Sequence, residues 1–145
     1  MNEPNPTRIL AVDWGAKRIG LALSDPTRTI ASPLMVIEHS SRAADAAAIV
    51  KAALEKGANL ILMGVTYDAE NNLTPSARSA MRLAQAIREQ CTLIVQEYDE
   101  AHSTQEARRS RLEMGLPKNK RKGHFDALAA VIFLQKYLDE IDEKK

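Results

Sequence analysis

Three acidic residues stand where chain segments end or begin. Asp13 closes the apolar run Ile9-Leu10-Ala11-Val12, Glu100 follows Asp99 at the end of a later apolar segment, and Asp126 lies in what reads as the first turn of the last helix. They are 87 and 26 residues apart in sequence, so only a fold that gathers these ends at one edge can use them together. Converging carboxylates repel, and the usual resolution is a hard divalent cation held by oxygen ligands. In a first helical turn the dipole would also keep Asp126 ionised. A cluster of that kind suits phosphodiester hydrolysis, with one ion activating water and another stabilising the leaving oxygen. Each acid also has an ordinary reading: a turn residue for Asp13, a solvated surface acid for Glu100, a dipole contact for Asp126.

The run Asp13-Trp14-Gly15-Ala16-Lys17-Arg18-Ile19-Gly20 adds a second signal. Gly15 and Gly20 let the backbone turn tightly and come close to a ligand. Lys17 and Arg18 in that turn could bind phosphate, or could simply be the solvated tip of a hairpin. A third signal is charge. Arg108, Arg109, Arg111, Lys118, Lys120, Arg121 and Lys122 face one acid, Glu113, a net +6 between residues 108 and 122. A basic stretch leading into Asp126 suits a polyanion contacted through its phosphates, and also suits a solvated loop. His102 and His124 flank the acids and read as exposed loop residues, although either could assist proton transfer. Cys91, between a helix and a strand, reads as packing.

The whole chain sets limits on these readings. Its 145 residues make one domain of ordinary size, long enough to bury a core without a staple. A single cysteine excludes a disulfide framework and any Cys-rich metal site. The net charge of +1 is a cancellation, because the basic stretch of +6 is set against −5 elsewhere. Only six aromatic residues are present, too few for a platform on which successive bases stack. No signal peptide and no run of membrane-spanning length is visible, so a cytoplasmic protein with no membrane contact is expected.

Elements must then position the acids. Ile9–Asp13, Ile19–Ser24 and Pro33–Glu38 read as three strands in an antiparallel meander. Ser40 or Ser41 caps a helix to Lys56, and Asn59–Gly64 is a buried strand. Thr74 and Pro75 read as N-cap and first residue of a helix to about Gln90. Leu93–Gln96 is a strand, Ser103 and Glu106 form a capping box for a helix ending at Gly115, and Lys118–Gly123 is a basic loop before a last helix, Phe125–Leu138. A meander followed by βα crossovers implies an α/β fold with a mixed five-stranded sheet and helices on both faces. The expected layout is a flexible tail at 1–7, one domain at 8–138 and a polar tail at 139–145.

The stretch Ile9–Asp25 (ILAVDWGAKRIGLALSD) closely resembles the opening of the YqgF/RuvX family, Holliday-junction-resolvase-like proteins also described as pre-16S rRNA nucleases. The resemblance continues at Leu60–Gly64 with Pro75, at Tyr98-Asp99-Glu100 with Ser103-Thr104 and Glu106-Ala107, and at Asn119-Lys120 and Asp126 with Ala129-Ala130. It implies a ribonuclease H-like fold and a nuclease dependent on Mg²⁺ or Mn²⁺, one ion or two, acting on structured RNA or DNA. The reaction it implies is 5′-end maturation of pre-16S rRNA, the alternatives being resolution of branched DNA or RNA binding in ribosome assembly with little catalysis. Asp13, Glu100 and Asp126 then fall on the acidic positions that hold metal. Lys17, Arg18, Arg108, Lys120, Arg121 and Lys122 are expected at substrate phosphates. Ribosomal precursor particles are the larger partner implied, with the chain a monomer or homodimer. Three departures stand out: Val65-Thr66 where the family usually has Leu-Pro, Glu70-Asn71 where an acidic residue is usually followed by Gly, and Ala101 where Arg usually follows the acidic pair. A D-x-G phosphate turn also occurs in sugar-kinase and actin-like proteins, but those need two lobes around a nucleotide.

Overall fold

The computed structural model describes residues 8–100 and 118–143, with residues 118–126 and 143 described by their backbone only. Five strands and three helices follow in the order β1 (Arg8–Asp13), β2 (Arg18–Ser24), β3 (Ala31–Glu38), α1 (Arg42–Glu55), β4 (Ala58–Val65), α2 (Pro75–Gln90), β5 (Ile94–Asp99) and α3 (Lys118–Glu143). The strands form one sheet in the order β3-β2-β1-β4-β5. β2 pairs antiparallel with β1 and β3, while β4 pairs parallel with β1 and β5. This is the mixed sheet expected from the meander and the crossovers, and its topology is ribonuclease H-like.

The sheet is apolar on both faces, as a sheet covered by helices on both sides must be. Leu10, Val12, Ile61 and Met63 pack with α1 and α2, whose Ile49, Ala53, Leu83 and Ile87 are buried. Ile9, Ala11, Leu60 and Leu62 alternate to the other face and pack with Ala130, Phe133, Leu134 and Leu138 of α3. The helix ends follow local chemistry. Ser41 Oγ accepts from Ala44 N at 3.1 Å, and Thr74 Oγ1 accepts from Ala77 N at 3.1 Å with Pro75 in the first turn. Gly57, at φ 74°, turns the chain out of α1.

Three elements differ from the sequence reading by two residues or more. β3 begins at Ala31, so Pro33 lies inside it; β3 is an edge strand and its ladder to β2 shifts register between Leu21 and Ala22, where a missing N–H is tolerated. β5 runs on through Asp99, because its parallel ladder with β4 extends to the pair Val65–Asp99. The basic segment Lys118–Gly123 is helix, not loop: α3 begins at Lys118 and continues through Asp139–Glu143. Four of the five residues Lys118–Lys122 are good helix formers, and the lone Gly123 costs only about 1 kcal/mol relative to Ala. The expected helix between Ser103 and Gly115 lies outside the described residues.

Candidate active site

The alternation of β1 sends Ile9, Ala11 and Asp13 toward α3, and that of β4 sends Leu60, Leu62 and Gly64 the same way. Val12 pairs with Met63, so Asp13 at the carboxyl end of β1 stands beside Gly64 at the end of β4. Glu100 follows β5 directly, and its N–H donates to the Val65 carbonyl at 2.9 Å, which continues the ladder by one residue. β1 and β5 are separated by β4, so their backbones stand two strand spacings apart, about 9–10 Å. Glu100 closes that gap by leaning across Gly64.

Gly64 is what makes this possible. A Cβ there would collide with Glu100 Oε2 and would stand 2.8 Å from the Phe133 ring of α3. The position is thus a cradle for one carboxylate, walled by an aromatic ring. Glu100 is only 8% exposed. Burial first, then the charge of Asp13, a hydrogen bond to Asp13 and the charge of Asp99, push its carboxyl up from 4.5 to about 9. Two carboxylates from different strands therefore share one small space, and only a proton or a cation relieves them. Their donor atoms are all oxygens, which suits a hard divalent ion such as Mg²⁺ or Mn²⁺.

The third acid, Asp126, is placed by its backbone. It lies eight residues into α3, in the third turn and not in the first turn that the sequence reading gave it. Position 126 is four and seven residues before Ala130 and Phe133, on the helical stripe that packs on the sheet. Seven residues of helix span about 10 Å, which sets it just under two turns from the residue whose ring stands beside Gly64. Among the described residues no group of three His, Cys, Asp or Glu side chains gathers at metal-binding distance. Described side chains thus supply the pair Asp13 and Glu100.

Of the expected phosphate contacts, Lys17 is exposed in the turn between β1 and β2, and its carbonyl accepts from His39 N at 2.9 Å. Arg18 opens β2, opposite Glu38. The turn needs its glycine, since a Cβ at Gly15 would collide with the Arg18 carbonyl oxygen. Lys120, Arg121 and Lys122 fall in the first turns of α3. Arg108 and His102 lie outside the described residues. Sequence reasoning did not single out Gly64 or Phe133 for the site. The available signal was a glycine ending a buried parallel strand, a place where another group comes close.

The departures from the family pattern have visible consequences. Thr66 Oγ1 meets Thr74 Oγ1 at 2.6 Å, tying the exit of β4 to the cap of α2 where Pro is usual. Asn71 adopts φ 65°, the left-handed conformation that glycine would otherwise supply, and its turn is closed by Asp68, whose Oδ1 accepts from Glu70 N and Asn72 N at 2.9 Å. Ala101 lies outside the described residues.

The family described as "RuvX: Holliday junction resolvase" matches residues 7–140 of the chain. A relative from Clostridium beijerinckii, named "Putative pre-16S rRNA nuclease", is 36% identical over 137 residues, 94% of this chain and 99% of its own length. One of the same name from Acidiphilium cryptum is 33% identical over 142 residues, 98% of this chain and 90% of its own. Among solved structures, Thermus thermophilus RuvC in complex with a Holliday junction substrate superposes with a TM-score of 0.60 at 14% identity, over 94% of this chain and 96% of that one. The last likeness is one of fold, and it agrees with the ribonuclease H-like sheet. Sequence match, topology and the acidic edge of β1 and β5 together place the chain in the RuvX family.

Proposed function

We propose that the chain is a divalent-metal-dependent nuclease that hydrolyses phosphodiester bonds in structured nucleic acid, and that its reaction is 5′-end processing of pre-16S rRNA. The observation that carries this reading is the pair Asp13 and Glu100, pressed together over Gly64 at the carboxyl edge of the parallel strands, where α/β sheets take their ligands. Asp13 and Glu100 would hold the metal, with Asp126 as a further donor from α3. The bound ion supplies acidification of the attacking water and neutralisation of the leaving oxygen.

The chain's own residues do the rest. Gly64 and Phe133 fix Glu100 and keep bulk water off one side of it. Lys17 and Arg18 flank Asp13 in the turn and would orient a phosphate, joined by Arg108, Lys120, Arg121 and Lys122. The rRNA substrate follows the names of the full-length relatives and implies ribosomal precursor particles as the larger partner and the cytoplasm as the compartment. The family description favours a second reading, cleavage of branched DNA.

The test is cleavage of an end-labelled pre-16S 5′ leader and of a four-way DNA junction, each with Mn²⁺ and with EDTA. A metal-dependent cut in the leader that Asp13→Asn abolishes is expected. No cut in either substrate, or equal cutting by Asp13→Asn, overturns the reading; a cut confined to the junction selects the second one.

A further inference from the structure

The residue after Asp13 turns to the other side of the sheet. Trp14, half-buried, packs against the core shared by α1 and α2, whereas Asp13 faces α3. Both stand at the carboxyl end of β1, so a chain crossing that edge meets one after the other. Beside Trp14 lies a cavity of about 190 Å³ between the end of β3 and the two helices, bounded by His39, Arg42, Ser79 and Leu83. That is the liquid volume of about six waters, room for one planar heterocycle and too little for a base pair. Its walls suit such an occupant. The Trp14 ring meets His39 edge-on at 6.2 Å, leaving aromatic surface along the cavity. Asp45 at the floor is 2% exposed and already engaged, by His39 Nδ1 and by Ser40 N at 3.1 Å, so it holds the wall in place.

A second cavity of about 420 Å³ lies along α1 and α2, and Arg42 lines both. Arg82, Gln85 and Gln90 line the second, with Glu89 the acid among them. Arg42, Arg78 and Arg82 are all exposed, and among the described residues no carboxylate lies within ion-pair distance of any of them. The other basic residues of the two helices are paired, Lys51 with Glu55 and Arg88 with Glu97. A strip of guanidinium groups, outside any ion pair among the described residues, thus leads away from an aromatic cavity of single-base size.

We infer that the α1–α2 face is a nucleotide subsite: an unpaired base of the nucleic-acid strand seats beside Trp14, and the phosphates that follow run along Arg42 and Arg82. The inference rests on the nuclease reading and adds where the strand goes after it leaves the acidic edge. Aromatic stacking and guanidinium–phosphate contact are the pairing by which single strands are held without sequence preference. One seat requires no platform, so the low aromatic content is no obstacle.

Trp14 is the chain's single tryptophan, so its emission reports on the seat directly. The full chain in EDTA is titrated with a short unlabelled single-stranded oligoribonucleotide, reading Trp14 emission, and in parallel the anisotropy of a labelled copy is followed from low to moderate salt. Emission should change with the same midpoint as anisotropy. The double variant Arg42→Gln, Arg82→Gln, on exposed helix positions, should bind about tenfold more weakly and shift the slope of log K against log salt by about 1.4, near 0.7 for each lost phosphate contact. Binding seen by anisotropy with unchanged Trp14 emission, or with a wild-type salt slope in the double variant, overturns the subsite and leaves the nuclease reading standing. No binding by either readout also overturns the subsite, whereas the nuclease reading stands or falls on cleavage with Mn²⁺.

Discussion

Glu100 shows how much one missing side chain can decide. Its carboxyl reaches Asp13 only because Gly64 has no Cβ, so Gly64→Ala acts on the site and on the core at once. Overpacking of this kind costs about 1–3 kcal/mol, to be read from the urea midpoint, and Mn²⁺ affinity should fall with it. The raised proton affinity of Glu100 has a further consequence. The folded, metal-free protein holds a proton that the unfolded chain releases above its ordinary value of 4.5. The stabilisation is therefore fully present below that value and is lost as the pH rises toward about 9. Thermal unfolding in EDTA should show a midpoint falling across this window, and Glu100→Gln should flatten the fall. Asp13 and Glu100 were legible in the sequence as acids at strand ends. Their meeting was not, because it depends on β4 lying between β1 and β5 and on which way each side chain alternates.

At the scale of elements, local signals read best where a single residue carries them. Thr74 before Pro75, Ser41 before Arg42 and the strand from Asn59 to Gly64 stand as the sequence implies. Thr74 does double duty, capping α2 and meeting Thr66 at the end of β4. Thr74→Ala should cost about 1 kcal/mol by urea denaturation, whereas Thr74→Ser should keep most of the cap. The start of α3 departs from the sequence expectation for a physical reason. A run of Lys and Arg looks like solvated loop, yet both are good helix formers, and one glycine does not stop a helix whose later turns are anchored. That anchoring is visible at the far end. Tyr98 Oη donates to Glu140 at 2.8 Å, Tyr137 crosses Tyr98 edge-on at 5.6 Å, and Gln135 Nε2 donates to the Thr29 carbonyl at 2.9 Å. Tertiary contacts of this kind, remote in sequence, are what local patterning does not carry.

For the whole molecule, the sheet is a partition. One face gathers the acids with α3, the other carries the guanidinium strip of α1 and α2, and both open at the carboxyl edge of β1. This arrangement shows how a net charge of +1 can conceal a basic surface: exposed Arg42, Arg78 and Arg82 lie on the face away from the acids. No described helix is long and apolar enough to cross a membrane. Everything rests on that edge binding a divalent ion. The most direct measurement is Mn²⁺ binding, followed by calorimetry or by the loss of the free-ion electron-spin-resonance signal, for the wild type, Asp13→Asn and Glu100→Gln. Saturable binding by the wild type is expected, with an affinity loss of tenfold or more in each variant, since loss of even an outer-shell partner of a metal site costs roughly 10–100-fold. Equal Mn²⁺ binding by all three proteins would contradict this expectation.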